Sequence, residues 1–289
     1  MNFLKNIITS AIIIFLIIPW MTSAHQPRIP LGDQTTVIDP EISKAYYTKL
    51  MRNSQTYTIT SDIPFALYVN ILVPDILWQK KDISAKIIQN GNIEKPFAIL
   101  DGDTFEWTKM FEPFGYDTYW KGPEYKAKVE AGTYDIIVSS NMNDSKYSLA
   151  IGEAENFDFR ETMNALDLVP KIKRDFFDES PISFIFSPFG WWLIVIMYTL
   201  AFIFGFAYRY LVRKFTKNTL RKMHRNIGQP DRLVRALIGL FLLILAIVTS
   251  WSPILLFFSG FAFFEAIFIW CWLYAALGKN TCPLSMSAR

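Results

Sequence analysis

Three apolar runs near the carboxyl end constrain this chain more than any other feature. Phe189–Tyr208 carries no charge, Leu233–Trp251 carries only Arg235 near its start, and Ile254–Leu277 carries only Glu265 near its middle. Each is close to the roughly 20 residues that a helix needs to cross a hydrocarbon core. Backbone groups cannot stay unpaired in lipid, so runs of this kind are expected to be helices. From Arg209 to Arg235 there are nine Lys or Arg against one acid, Asp231. A short loop this basic is retained in the cytoplasm. Ser250-Trp251-Ser252-Pro253 is uncharged and suits the opposite face. The expected order is a first membrane helix over 189–210, a basic cytoplasmic loop over 211–230, and a helical hairpin over 231–284, with the carboxyl terminus in the cytoplasm.

The amino end agrees with this topology independently. Lys5, the apolar run Ile7–Ile18, Pro19 and the small residues Thr22-Ser23-Ala24 read as a signal peptide over 1–24. The alternative is an uncleaved anchor, for which the apolar run is short. Either way the segment that follows is delivered outside.

That segment, His25–Pro188, holds 17 Lys and Arg against 24 Asp and Glu, whereas residues 189–289 hold 11 basic and two acidic residues. An acidic outer part argues against nucleic acid as its ligand. The basic part lies beside membrane helices, where anionic lipid headgroups are the expected partners. Strands are expected at Thr56–Thr60, Phe65–Val73, Ser84–Ile88, Phe97–Leu100, Tyr134–Ser139 and Lys146–Ile151, with Asn141–Asp144 as a hairpin turn between the last two. The fold class is therefore an extracytoplasmic antiparallel β-sandwich over 25–155, followed by three transmembrane α-helices. The domain contains no Cys, so its stability rests on its core. Residues 156–188 read as a juxtamembrane linker with a short helix, Phe159–Leu168, ended by Pro170. Phe176, Phe177, Phe184, Phe186, Phe189, Trp191 and Trp192 suit an interfacial aromatic belt.

Ala131-Gly132-Thr133-Tyr134-Asp135-Ile136-Ile137-Val138 and Lys146–Glu153 resemble the end of a pre-peptidase C-terminal-like β-sandwich. Over these roughly 25 residues the resemblance implies an accessory, non-catalytic binding module. A second resemblance covers about 60 residues. Asn226-Ile227-Gly228-Gln229-Pro230-Asp231-Arg232-Leu233-Val234-Arg235 and Cys271–Pro283 are similar to the YgaP-like inner-membrane transmembrane domain. That family has the pattern Asn-x-Gly-x-x-Asp-Arg-x-x-Arg at one end of its hairpin and two Cys at the other. The resemblance implies a two-helix hairpin able to pair between protomers, so a homodimer through the transmembrane helices is expected, with Ala201, Gly205, Ala262 and Ala266 as close-approach positions. Trp272 stands where the family has Pro, so a Pro-induced kink is not implied. No sulfurtransferase segment is recognisable, so sulfur transfer is not carried over.

Several side chains are candidates for function. Phe105–Trp120 holds seven aromatic residues, and Trp107 and Trp120 could form a stacking platform for sugar or peptide, or simply fill the core. Asp231 suits the positive end of a helix dipole, and Arg232 and Arg235 suit the headgroup level. Cys271 and Cys282 read either as a redox or metal pair or as two reduced thiols; no third or fourth ligand for zinc is nearby. A carboxylate at mid-membrane is costly and by default marks function or pairing. No basic residue of this chain is expected at the depth of Glu265, so its expected partner is a helix backbone, a hydroxyl such as Ser259 or Thr249, or another protomer. Asp101-Gly102-Asp103 lacks the later ligands of a calcium loop.

No cofactor is expected. The outer segment has a single His, His25, and no Gly-x-Ser-x-Gly, so the expectation is a non-enzymatic envelope protein that binds a surface protein or glycan. Its many carboxylates leave an acid-based glycosidase open. The second reading is a small transport or sulfur-linked component acting through the hairpin. A reporter fused after Arg289 is expected to be cytoplasmic, and His25–Pro188 accessible from outside; an outward carboxyl terminus would overturn the three-helix count.

Overall fold

The structure is a computed structural model that describes residues 25–156, 158–215 and 225–282; the expected signal peptide over 1–24 lies outside the described residues. The chain divides into two compact units with the boundary between Pro188 and Phe189. Each is described by itself.

The first unit is built on two β-sheets. One has the order β1 (Gln26–Arg28), β3 (Lys44–Lys49), β11 (Lys146–Ile151), β5 (Phe65–Pro74), β9 (Asp117–Val129), β8 (Thr108–Glu112). The other has the order β2 (Gln34–Val37), β4 (Gln55–Ser61), β10 (Gly132–Ser139), β6 (Ser84–Gln89), β7 (Ala98–Leu100). The alternation in β4 and β10 turns Tyr57, Ile59, Tyr134, Ile136 and Val138 inward, where they meet Leu67, Val69, Ile71, Tyr147 and Leu149 of the opposite sheet. The core hydroxyls are paired as burial requires: Tyr57 and Tyr147 bond across the layers at 3.0 Å.

Three expectations need correction. The sheets are not wholly antiparallel, because β1 runs parallel to β3 and β2 parallel to β4. The turn at Asn141–Asp144 is not a hairpin. β10 pairs with β4 and β6, whereas β11 pairs with β3 and β5, so the turn carries the chain from one sheet to the other. Both strands are apolar on one face, and crossing between layers lets each face the same core. Pro170, finally, does not end the helix. Helix α1 runs from Phe159 to Asp175, capped by the Asp158 carboxylate accepting from Glu161 N at 2.8 Å.

An internal proline costs a helix about 3 kcal/mol, and tertiary packing offsets it here. Ile172, Phe176 and Phe177 pack on Leu72 and Tyr119 of the six-stranded sheet. Phe176, Phe177 and Phe184 are therefore buried and do not join an interfacial belt. Beside them Lys173 Nζ, 1% exposed, meets Asp117 Oδ1, 4% exposed, at 2.7 Å.

The second unit contains α2 (Pro188–Phe215), α3 (Gln229–Thr249), α4 (Pro253–Phe268) and α5 (Trp272–Leu277). The first two, of 28 and 21 residues, are long and apolar enough to cross a membrane. The third, of 16 residues, is shorter than the roughly 20 that span a bilayer core. The expected continuous helix over Ile254–Leu277 is thus two helices with a break at Ile269–Cys271. Ser259 ties the three long helices together. Its hydroxyl donates to Gly239 O at 2.7 Å and accepts from Tyr198 Oη at 2.8 Å. Thr249 bonds Leu245 O of its own helix. Ala201, Gly205, Ala262 and Ala266 are buried inside the chain, and a Cβ at Gly205 would lie 2.5 Å from the Phe264 ring.

Burial pushes the Asp117 carboxyl up to about 7, against the pull of Lys173. The folded value exceeds the unfolded one of about 3.9, so this group's contribution to stability is complete below about pH 4 and is lost as pH rises through about 7. Lys173→Met leaves the buried carboxylate without its cation. It is expected to cost about 3–5 kcal/mol at pH 8 and clearly less at pH 5, where Asp117 is protonated, in melting of the full-length protein in detergent. An equal loss at both pH values would contradict the pairing.

Candidate functional site

The residues singled out in the hairpin converge at its open end, where α3 begins and α4 stops. Ile269 adopts a left-handed backbone, φ 54, which stops α4. Glu265 O accepts from both Ile269 N and Trp270 N, and the remaining peptide groups are taken up by Asn226. Asn226, buried just before α3, accepts from Cys271 N at 2.7 Å and donates to Cys271 O at 2.9 Å. Its own backbone N–H donates to Ile269 O at 3.1 Å, and its carbonyl accepts from Thr281 N at 3.2 Å. One residue therefore joins the start of the hairpin to the break and to the tail. Gly228 is required by the same closeness: a Cβ there would lie 2.5 Å from Thr281 O, a backbone atom that cannot move away freely.

Glu265 sits four residues before the break, at the end of α4 rather than at mid-helix. This places it level with Arg235, and the expectation that no base lies at its depth is corrected. Arg235 Nε is 3.0 Å from Glu265 Oε2. The Nε–H is not aimed along a hydrogen bond, so the contact is ionic. Glu265 Oε1 accepts Trp272 N at 3.2 Å, the first amide of α5. Tyr274 lies over Arg235, 5.0 Å from guanidinium carbon to ring centre, and donates to Asp231 Oδ2 at 3.2 Å. Thr281 Oγ1 also donates to Asp231, and Gly228 N donates to Thr281 Oγ1 at 2.9 Å. Asp231, Arg235, Glu265 and Cys271 thus form one connected cluster, whereas Arg232 is exposed. Both thiols are free, with Cys271 buried and Cys282 half-buried. The carboxylates of Asp231 and Glu265 are engaged by Tyr274, Thr281, the Trp272 amide and the Arg235 guanidinium, whereas Arg235 Nε and Trp270 Nε1 are buried without a hydrogen-bond partner.

The aromatic stretch divides between core and surface. Trp107 packs against the core and donates to Gly102 O at 2.8 Å. Trp120 donates to Asp75 Oδ1 at 2.8 Å, and the ammonium of Lys81 covers its ring at 3.7 Å. The two therefore do not offer bare faces for sugar stacking. The Asp101 carboxylate is used locally, accepting from Asp103 N at 3.0 Å and Thr104 Oγ1 at 2.7 Å.

The β-unit carries a cleft that the sequence did not announce. It has a volume of about 810 Å³ and is lined by β1, β2 and the start of α1, with Gln26, Arg28, Gln34, Lys44 and Glu161 among its walls. Arg28 makes a two-pronged pair with Glu161, 2.8 Å at each nitrogen. Lys44 Nζ donates to Ile38 O and Asp39 O, both at 2.8 Å. Ile29, Leu31 and Ile38 leave apolar side chains exposed on the rim. Strands of three and four residues beside polar loops have no periodicity to mark them.

Residues 223–285 match the family described as inner membrane protein YgaP-like, transmembrane domain. No curated protein matches the chain. Solved structures similar to it include the pre-peptidase C-terminal domain of a collagenase from Bacillus anthracis, at 6% identity, 45% of this chain, 96% of that chain and a TM-score of 0.25. Another is CorA, a surface-associated copper-binding protein of Methylomicrobium album BG8, at 8% identity, 44% of this chain, 98% of that chain and a TM-score of 0.23. The matched hairpin contains the joint whose geometry Asn226 sets. Asn226→Ala is expected to leave the Cys271 N–H unpaired, while Cys271 O keeps the Ala275 N–H at 3.0 Å, and to cost about 1–3 kcal/mol for the orphaned group. Amide exchange at residues 269–272 should speed up while that of Val234–Ala246 stays slow; unchanged exchange at the break would refute this role.

Proposed function

We propose that this chain, a membrane protein with a YgaP-like transmembrane domain, is a non-enzymatic envelope protein of the cytoplasmic membrane. It presents its β-unit on the outer side and binds an extended segment of a protein partner in the cleft between β1, β2 and α1. The nine basic residues between Arg209 and Arg235 support the orientation. The hairpin, with its charges committed to its own joint, serves as the anchor.

One observation carries the binding assignment. β1 and β2 are the terminal strands of their sheets on the described chain, both line the same cleft, and its rim is apolar. A terminal strand offers unpaired N–H and C=O groups to an added segment, and the rim supplies pockets for alternate side chains. The charged groups inside are already engaged, Arg28 with Glu161 and Lys44 with backbone carbonyls, which supports binding over acid–base chemistry. The covered face of Trp120 favours a peptide over a glycan.

A photoreactive residue placed at Leu31 or Ile38 in cells is expected to crosslink the same protein from both positions. The same residue at Ile63, equally exposed on the β4–β5 turn, is expected to give none. Equal yield from all three sites, or no protein adduct at Leu31 and Ile38, would overturn the assignment.

A further inference from the structure

The β8–β9 turn ends in an aromatic tip with no outward charge. Phe111 is 53% exposed and Tyr116 51% exposed, and their rings meet edge to face at 5.1 Å. Phe186, 63% exposed, lies 6.1 Å from Tyr116. Both acids that flank the turn are folded inward: Glu112 accepts from Phe114 N at 2.7 Å and Gly115 N at 2.6 Å, and Asp117 pairs with Lys173. Tyr116 holds φ 62, a backbone region costly for a bulky side chain, and so aims a ring outward where Gly or Asn would be easier.

The tip is tied to one particular point of the chain. Ser187 Oγ donates to Phe114 O at 2.7 Å. The next residue, Pro188, is the first of the 28-residue apolar helix. Covalent continuity therefore keeps Phe111, Tyr116 and Phe186 within a short reach of the place where the chain enters the bilayer.

We propose that Phe111, Tyr116 and Phe186 form a lipid-binding surface that seats the β-unit in the headgroup–acyl boundary of the membrane its own helix enters. Aromatic rings favour that boundary because one side of it is apolar and the other wet. Exposed rings without an adjacent outward charge enter it without desolvating an ion. This surface differs from the cleft between β1 and β2, and the proposal stands or falls independently of what the cleft binds.

The test uses the full-length protein in phosphatidylcholine/phosphatidylglycerol nanodiscs, with Cys271→Ser and Cys282→Ser and one new Cys carrying an environment-sensitive fluorophore. The positions are Phe111, Tyr116 and, as a control, Ile63. Ile63 is equally exposed but lies beside Phe65, which pairs with Val129 at the far end of β9 from Asp117. Lipids carrying a quencher just below the headgroup reach about 5–10 Å into the boundary. They are expected to quench the probes at 111 and 116 at least several-fold more than the probe at 63. If all three are quenched alike, or if 111 and 116 report only aqueous quencher, the tip is not seated in lipid. Exposed positions are used so that folding is retained, which circular dichroism of each labelled protein checks.

Discussion

Where α4 stops at Phe268, Ile269 N and Trp270 N still donate to Glu265 O, but Ile269 O and the Cys271 N–H lose the partners that a continuing helix would supply. Buried peptide groups without partners are expensive in any apolar setting, and more so at the end of a membrane hairpin. Asn226 meets that cost with both polar atoms of its side-chain amide and with its own backbone N–H, while its carbonyl holds the tail at Thr281 N. Everything else at this end follows from the joint. Gly228 must lack a side chain so that Thr281 can approach. Glu265 comes level with Arg235 because the helix ends when it does. Trp272 can open a new short helix because a carboxylate waits for its amide.

The β-unit depends on a comparable balance. A helix interrupted by Pro170 is held to the sheet by three apolar side chains and one buried ion pair, Lys173 with Asp117. Burying two charges rarely adds net stability, but breaking such a pair is costly, so it specifies one docking position. The helix that reads as a linker is thereby part of the β-unit.

Charge is segregated between the two parts. Residues 25–188 are acidic and residues 189–289 basic, which agrees with an anchor among anionic lipids. Asp231, Arg235 and Glu265 of the hairpin are engaged at the joint, while the β-unit keeps an open cleft at β1 and β2 and an aromatic tip at β8–β9.

The amino-acid pattern alone determined the apolar helices, the basic segment between them and most inner strands, because these are local: composition and period are visible in a window of twenty residues or fewer. The resemblance to the YgaP-like domain marked Asn226, Gly228, Asp231, Arg235 and Cys271 as a motif. What the motif does was decided by tertiary structure. Nothing in Ile269-Trp270-Cys271 signals a break, since an apolar run reads the same whether a helix continues or an Asn 45 positions earlier replaces its hydrogen bonds. The Glu265–Arg235 pairing, the continuation of α1 past Pro170 and the passage of Asn141–Asp144 between sheets share that cause. Each depends on a partner distant in sequence, and local propensity is overridden when burial and hydrogen bonding with such a partner are worth more.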